Sequence, residues 1–402
     1  MADRSHPPAV PSDAAPRIGR PHRILVAPDS FKGSLTCVQA AESISAGLRT
    51  VWPHAEVALH PLADGGEGLT EALQGALPEV CHRQGREVVV PGPQGAPVAA
   101  EWWAFEHPKS GRVIAVVEVA RASGITLTDI RDPRTATSYG TGALIADAFG
   151  AGVDEVWVGA GGSAMVDGGA GALQALGVQI NDAEGRAIAP GGEGLCQIAE
   201  ISMPELPGPM KVLCDVQNPW LGALGAPTVF GPQKGAGPEE VQLLEAGLSH
   251  LGEALAEATG RDPRHLARAG AAGGFAGGLW AAFGAELYSG LECVAELTEL
   301  DAAIQRADLV ITGEGQVDAQ TAMGKVAAGV VARAEAHGRP TWIVGGAVTA
   351  QAEAWAADHP VALIPIPDGP ISLEACMQTA DLHLRRAVAR AARLWSLAGG
   401  VQ

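Results

Sequence analysis

Three of the five lysines stand beside a glycine: Lys32 in DSFKGSL, Lys234 in FGPQKGA and Lys325 in MGKV. The remaining basic chemistry is left largely to 22 arginines. Lysine is a compact, mobile cation suited to following a phosphoryl group, and an adjacent glycine lets the backbone come close to a ligand. Acidic residues recur in similar settings: Asp64 and Glu67 in ADGGEG, Asp167 in MVDGG, Asp215 in CDVQNP, Glu314 and Asp318 in GEGQVD. Phosphoryl transfer to a hydroxyl needs a carboxylate near the nucleophile and others to hold Mg²⁺. The plainer reading is that each lysine decorates a solvated turn and each Asp-Gly pair only forms one. Three lysine loops together weigh against it. No Walker A motif is present, because GKV at 324–326 lacks both the spaced upstream glycine and a following Ser or Thr.

These loops need strands to carry them. RILVA (23–27) reads as a short buried strand, and Thr36 to Gln39 gives the capping-box pattern that opens a helix. AEVALH (55–60) predicts a second strand and PLADGGEG its loop. The segments REVVVPG, PVAAEWWAF and RVIAVVEVA predict three strands without intervening helices. DLVIT (308–312) predicts a buried strand with GEGQVDAQ as its loop. Met323, Val326, Ala327, Val330, Val331 and Ala334 then form a helical stripe, and TWIVGG the next strand. The expected fold is α/β: a doubly wound parallel-sheet domain built from both chain ends (22–85 and 288–396), with a second α/β domain (86–287) inserted.

Length and composition agree with two domains: 402 residues, 47% of them apolar. A formal charge of −18 excludes a basic nucleic-acid face, but not a locally positive pocket for a small anion. Six scattered cysteines form no C-x-x-C, which predicts a reducing, cytoplasmic setting. Residues 1–21, polar and proline-rich, predict a disordered tail rather than a signal peptide, and no membrane-like run follows. GAGGSA (159–164) fits a dinucleotide fingerprint with Asp182 in the acid's place. The VDGGAG that follows would break the helix this reading requires.

In order along the chain, APDSFKGSLT, PLADGGEG, SYGTGALIADA, GAGGSAMVDGGAGALQALG, CDVQNP, FGPQKGA, GAAGG and ADLVITGEGQVDAQTAMGK resemble the bacterial glycerate kinases of the first type, over roughly residues 22 to 396. The resemblance implies a flavodoxin-like domain plus a second α/β domain, with the active site between them. It implies transfer of the ATP γ-phosphate to the 2-hydroxyl of D-glycerate, with Mg²⁺. Carried over by motif, the cleft residues are Ser30, Lys32, Ser34, Asp64, Glu67, Ser163, Asp167, Asp215, Asn218, Gln233, Lys234, Glu314, Asp318 and Lys325. The chain departs from the pattern at Leu69, Met165, Val166 and Arg121. The last of these could supply a carboxylate clamp.

Charge logic assigns roles within that set. The Lys32 loop would receive the glycerate carboxylate, and Asp167 or Asp64 the hydroxyl proton. Asp215 or Glu314 would position Mg²⁺, and Lys234 and Lys325 would balance the triphosphate. Closure of the two domains would exclude water. The expected assembly is a monomer or homodimer, with no nucleic acid or membrane partner. Alternatives are a kinase of another small hydroxy acid, phosphorylation at the 3-position, and an impaired nucleotide sensor.

Overall fold

The computed structural model describes residues 19–206, 208–318, 321 and 326–398. The tail predicted over residues 1–21 falls almost wholly outside these residues, and Lys325 does too.

Alternation builds the first sheet. Ile24 and Val26 of the strand Arg23–Val26 share a core with Leu309 and Ile311 of Leu309–Val317. On that face lie Ala40, Ile44 and Leu48 of the helix Cys37–Arg49, with Leu384 and Val388 of the helix Ala380–Ala398. Leu25, Ala27 and Val310 point the other way, onto Val326 and Val330 of the helix Val326–Ala336. The helix Cys37–Arg49 begins at the predicted capping box. The Gln39 N–H donates to Thr36 Oγ1 at 3.2 Å, and the Thr36 N–H to Gln39 Oε1 at 3.0 Å. Such a cap contributes about 1 kcal/mol.

All five strands run parallel, in the spatial order 56–59, 23–26, 309–317, 341–348, 361–365. This is the flavodoxin-like order 2-1-3-4-5, with helices on both faces. Ligands of such sheets bind beyond the carboxyl ends, where the strand order reverses. Here that point lies between 23–26 and 309–317.

One element differs from expectation. The strand after DLVIT does not stop at Thr312 but continues through GEGQV, paired with Thr341–Val348 as far as Val317↔Val348. Glycines permit it. A Cβ on Gly313 would sit 2.4 Å from the Val344 carbonyl oxygen, and one on Gly346 2.4 Å from that of Gly315. Glu314 therefore projects from a strand, not from a loop.

The second sheet has six strands in the order 286–288, 210–213, 155–159, 113–118, 97–106, 82–91. The first four are parallel, and 97–106 runs antiparallel to both of its neighbours. One face carries the helices Tyr139–Gly150, Ala170–Ala175, Pro238–Thr259 and Phe275–Phe283. The other presents Trp103, Phe105, Ile114, Val116, Trp157 and Leu213 to Leu69 and Leu73 of Leu69–Ala76, and to Leu291 and Val294 of Gly290–Leu297. Trp103 stacks on Phe105 at 5.6 Å, and Phe105 meets Trp157 edge-on at 5.4 Å. The two sheets thus share one apolar core. No helix among the described residues is long and apolar enough to cross a membrane.

Candidate active site

The strand Arg23–Val26 delivers the chain into DSFKGSL. Phe31 is buried and pairs with Leu35 through reciprocal backbone bonds of 2.9 and 3.0 Å, so the loop is a tight hairpin on an aromatic anchor. Gly33, at φ +77°, makes the turn, and a Cβ there would also strike Met377 at 2.8 Å. Lys32 is left exposed at the tip. Ser34 Oγ donates to the Phe31 carbonyl at 2.9 Å. The aromatic neighbour holds the loop and the glycine bends it, while the lysine reaches out.

Asp29 opens that loop, and the sequence motifs did not single it out as a site residue. It is buried, its N–H donates to the Gly313 carbonyl at 2.9 Å, and its Oδ1 accepts the Ser30 N–H at 2.6 Å. It therefore sits at the switch point between 23–26 and 309–317. Burial, then the neighbouring Asp64 charge, and more weakly that of Glu314, push its carboxyl up to about 7, against the pull of Ser30 and Lys32. Its signal in the sequence was its place, directly after a buried strand and ahead of the lysine loop.

Asp64 influences Asp215 in the same way. Burial first, with the Asp64 charge adding to it, raises Asp215 to about 6 despite the bond from Ser289 and the guanidinium of Arg268. Asp215 Oδ1 accepts Ser289 Oγ at 2.6 Å and the Gly290 N–H at 3.1 Å, while its Oδ2 is buried without a partner. Charge effects link the carboxylates as a row, Glu314–Asp29–Asp64–Asp215: Asp64 and Glu314 act on Asp29, and Asp64 also acts on Asp215. Glu314 accepts Thr321 Oγ1 at 2.8 Å, and Asp318 closes a turn on Thr321 and Gln316. Among the described residues no three acidic, histidine or cysteine groups converge tightly enough to enclose a metal ion. Mg²⁺ keeps waters and is held by one or two carboxylates together with substrate phosphates. The orphaned Asp215 oxygen beside Asp64 fits such an ion. Of the two candidate metal ligands named on sequence grounds, Asp215 feels the charge of Asp64, and Glu314 acts on Asp29.

Glycines interlock the loops of the two sheets. A Cβ on Gly161 would lie 2.4 Å from Gly66 Cα, and one on Gly290 2.3 Å from the Gly65 nitrogen. The helix Leu69–Ala76 has no side-chain cap of its own. Glu118, from the other sheet, supplies one by accepting the Thr70 N–H at 2.7 Å and the Gly68 N–H at 3.2 Å. Nothing local in the sequence revealed this contact. Between the loops opens a cleft of about 530 Å³, lined by Ser30, Lys32, Ser34 and Glu67 on one side and Arg121 and Thr126 on the other. Arg121 is held by Glu71 at 2.6 Å, Glu101 at 3.4 Å and Glu118 at 3.8 Å, so its guanidinium is committed to protein carboxylates rather than to a substrate clamp.

Asp167 lies elsewhere. It is wholly buried and accepts four bonds: Ser138 N–H at 2.8 Å, Ser138 Oγ at 2.7 Å, Gly169 N–H at 3.0 Å and Gly171 N–H at 3.3 Å. Burial pushes its carboxyl up while those donors pull it back. Lys234 is buried too, donating to Ser163 Oγ at 2.9 Å and the Met165 carbonyl at 2.7 Å. Burial lowers its ammonium to about 7. Gln233 is exposed on the turn Pro232–Lys234, and Asn218 Nδ2 braces its own loop through the Leu224 carbonyl at 2.8 Å. Met165, Val166 and Leu69 are core residues, so their side chains do not line the cleft. The dinucleotide reading of GAGGSA fails as the sequence suggested. The helix starts only at Ala170, and Asp182 is spent on Arg186 at 2.9 Å.

A flavodoxin-like sheet, a second mixed sheet, and carboxylates with a lysine loop at the switch point mark an α/β protein whose ligand site lies beyond the strand ends. Comparison with known proteins makes this particular. Residues 24–396 match the glycerate kinase family, and the chain belongs to it. It is 40% identical to a glycerate kinase of Bacillus subtilis, over 90% of this chain and 95% of the relative. To a glycerate 2-kinase of Escherichia coli it is 41% identical, over 81% of this chain and 86% of the relative. A crystal structure of a glycerate kinase 2 from Salmonella typhimurium superposes with a TM-score of 0.78 at 39% identity, covering 92% and 97% of the two chains.

Proposed function

We propose that the chain transfers the γ-phosphoryl group of ATP to the 2-hydroxyl of D-glycerate, giving 2-phospho-D-glycerate. The observation that carries this reading is the 41% identity to a glycerate 2-kinase over 336 residues. The carboxylate row at the switch point supports it. Asp29, whose carboxyl burial and then the neighbouring Asp64 charge push up to about 7, takes the proton of the attacking hydroxyl. Asp215, with Asp64, would hold Mg²⁺, which when bound would neutralise phosphate charge and polarise the transferring group. Lys32, on its anchored hairpin, meets the anionic substrate, with Ser30, Ser34 and Glu67 along the same wall.

Asp167, Ser163 and Lys234 serve by fixing the 161–171 loop, since each is buried and bonded within the protein. Glu314 and Asp318 shape the surroundings of Asp29. Because the sheets share a core, exclusion of water falls to the loops rather than to a swing of one sheet against the other. A cytoplasmic monomer or homodimer goes with this chemistry.

Phosphorus NMR of the product formed from D-glycerate and Mg-ATP tests the reading. The 2-phosphate is expected; 3-phosphoglycerate, or ADP release without a glycerate product, would overturn it.

A further inference from the structure

Arg268 lies in ARAGAAGG with φ at 69°, in the left-handed region that glycine enters freely and side chains bearing a Cβ disfavour. Gly270, Gly273 and Gly274 follow within six residues. An arginine at 268 therefore holds its backbone against the local preference. Its side chain supplies a reason. Arg268 Nη1 donates to the Cys214 carbonyl at 2.5 Å, directly before Asp215. The Arg268 N–H reaches the Gln217 carbonyl at 3.4 Å, and the Gly270 N–H the Asn218 carbonyl at 3.0 Å. Three bonds thus tie 268–270 to both ends of the loop carrying Asp215. The approach is close: a Cβ on Gly270 would sit 2.3 Å from the Pro219 carbonyl oxygen. Arg268 also places a cation by Asp215, at one end of the row, as Lys32 does by Asp29 within it.

We propose that Arg268 is a positioning residue for the phosphoryl transfer: it fixes the loop that carries Asp215 and sets a positive charge at that end of the carboxylate row. The inference rests on the phosphotransferase reading above. A planar fork suits the double task, since one nitrogen holds a carbonyl while the delocalised charge faces the carboxylate.

Arg268→Gly is the discriminating variant, because glycine suits this backbone better than arginine. Its melting temperature is expected to stay within about 3 °C of the parent or to rise. Its kcat on D-glycerate should fall at least about tenfold, with KM changing less than about threefold. Millimolar guanidinium should restore part of the rate, which loss of a merely structural side chain would not allow. Hydrogen exchange gives a readout without turnover: amides of 266–274 should exchange faster in the variant. A kcat within about twofold of the parent, a rate loss without guanidinium rescue, or unchanged exchange each overturns the proposal. Should Arg268→Gly fail to fold, Arg268→Lys decides, since it keeps a charge without the fork; parental kcat there overturns the proposal and a fall supports it. A parent chain inert toward D-glycerate would sink the proposed reaction instead, and the exchange comparison would still judge Arg268.

Discussion

Asp29 and Asp167 are both buried aspartates in loops that follow parallel strands, and they differ in what faces them. Asp167 receives four hydrogen-bond donors, with Lys234 near enough to favour its charge. Asp29 receives the Ser30 N–H, while the charges of Asp64 and Glu314 oppose its own. A buried carboxylate supplied with donors contributes to the fold, because removing it orphans every donor. A carboxylate crowded by like charge is held at the fold's expense, which points to a demand from chemistry. The comparison separates the interior of the six-stranded half from the switch point of the five-stranded sheet.

Paired substitutions can break that contrast. Asp64→Asn keeps an oxygen for the Gly66 N–H, so it should fold normally while kcat falls roughly 10²-fold or more. Asp167→Asn sets an amide donor against backbone donors and should lower the melting temperature by about 5–10 °C. Equal melting temperatures for the two, or an active Asp64→Asn enzyme, would erase the distinction.

A subtler effect is expected at Asp29. Its carboxyl titrates near 7 in the folded chain against an ordinary 3.8. The folded form therefore binds the extra proton between those values, and its stability falls as pH rises through that window. Asp29→Asn removes the penalty: the variant should melt a few degrees above the parent at pH 8 and by clearly less at pH 5, while losing activity. Thermal melts at the two pH values check this, and a variant less stable than the parent at pH 8 would contradict it.

Ser138→Ala gives the smallest change. Ser138 Oγ donates to Asp167 and accepts the Ala172 N–H at 2.9 Å, so its loss should cost about 1–3 kcal/mol in denaturant unfolding with kcat nearly unaltered.

Local pattern made much of this legible. The Thr36–Gln39 cap, the apolar run of 23–27 and the stripe from Val326 to Ala334 follow from local pattern and capping alone. The glycine-rich loops were found, but their tenants could not be sorted. Lys234 in GPQKG and Lys32 in FKGS look alike as strings, yet one is buried against Ser163 and the other is exposed. Burial of a loop residue depends on which strand lies beneath it. The sequence predicts a loop at Glu314, because glycine usually ends a strand, whereas in the structure glycines let the pairing continue. Glu118 capping a helix from the opposite sheet is a contact across 48 residues that no local pattern encodes.

Trp103, Phe105 and Trp157 find their cover on helices that belong to the other sheet, so the half made from residues 82–288 carries an oily face it cannot bury alone. On a ribosome this half emerges complete before the last three strands of its neighbour, and those rings must wait for 290–306 to arrive. Heating should accordingly melt both halves in one transition, and excising either would yield a sticky fragment rather than a miniature enzyme.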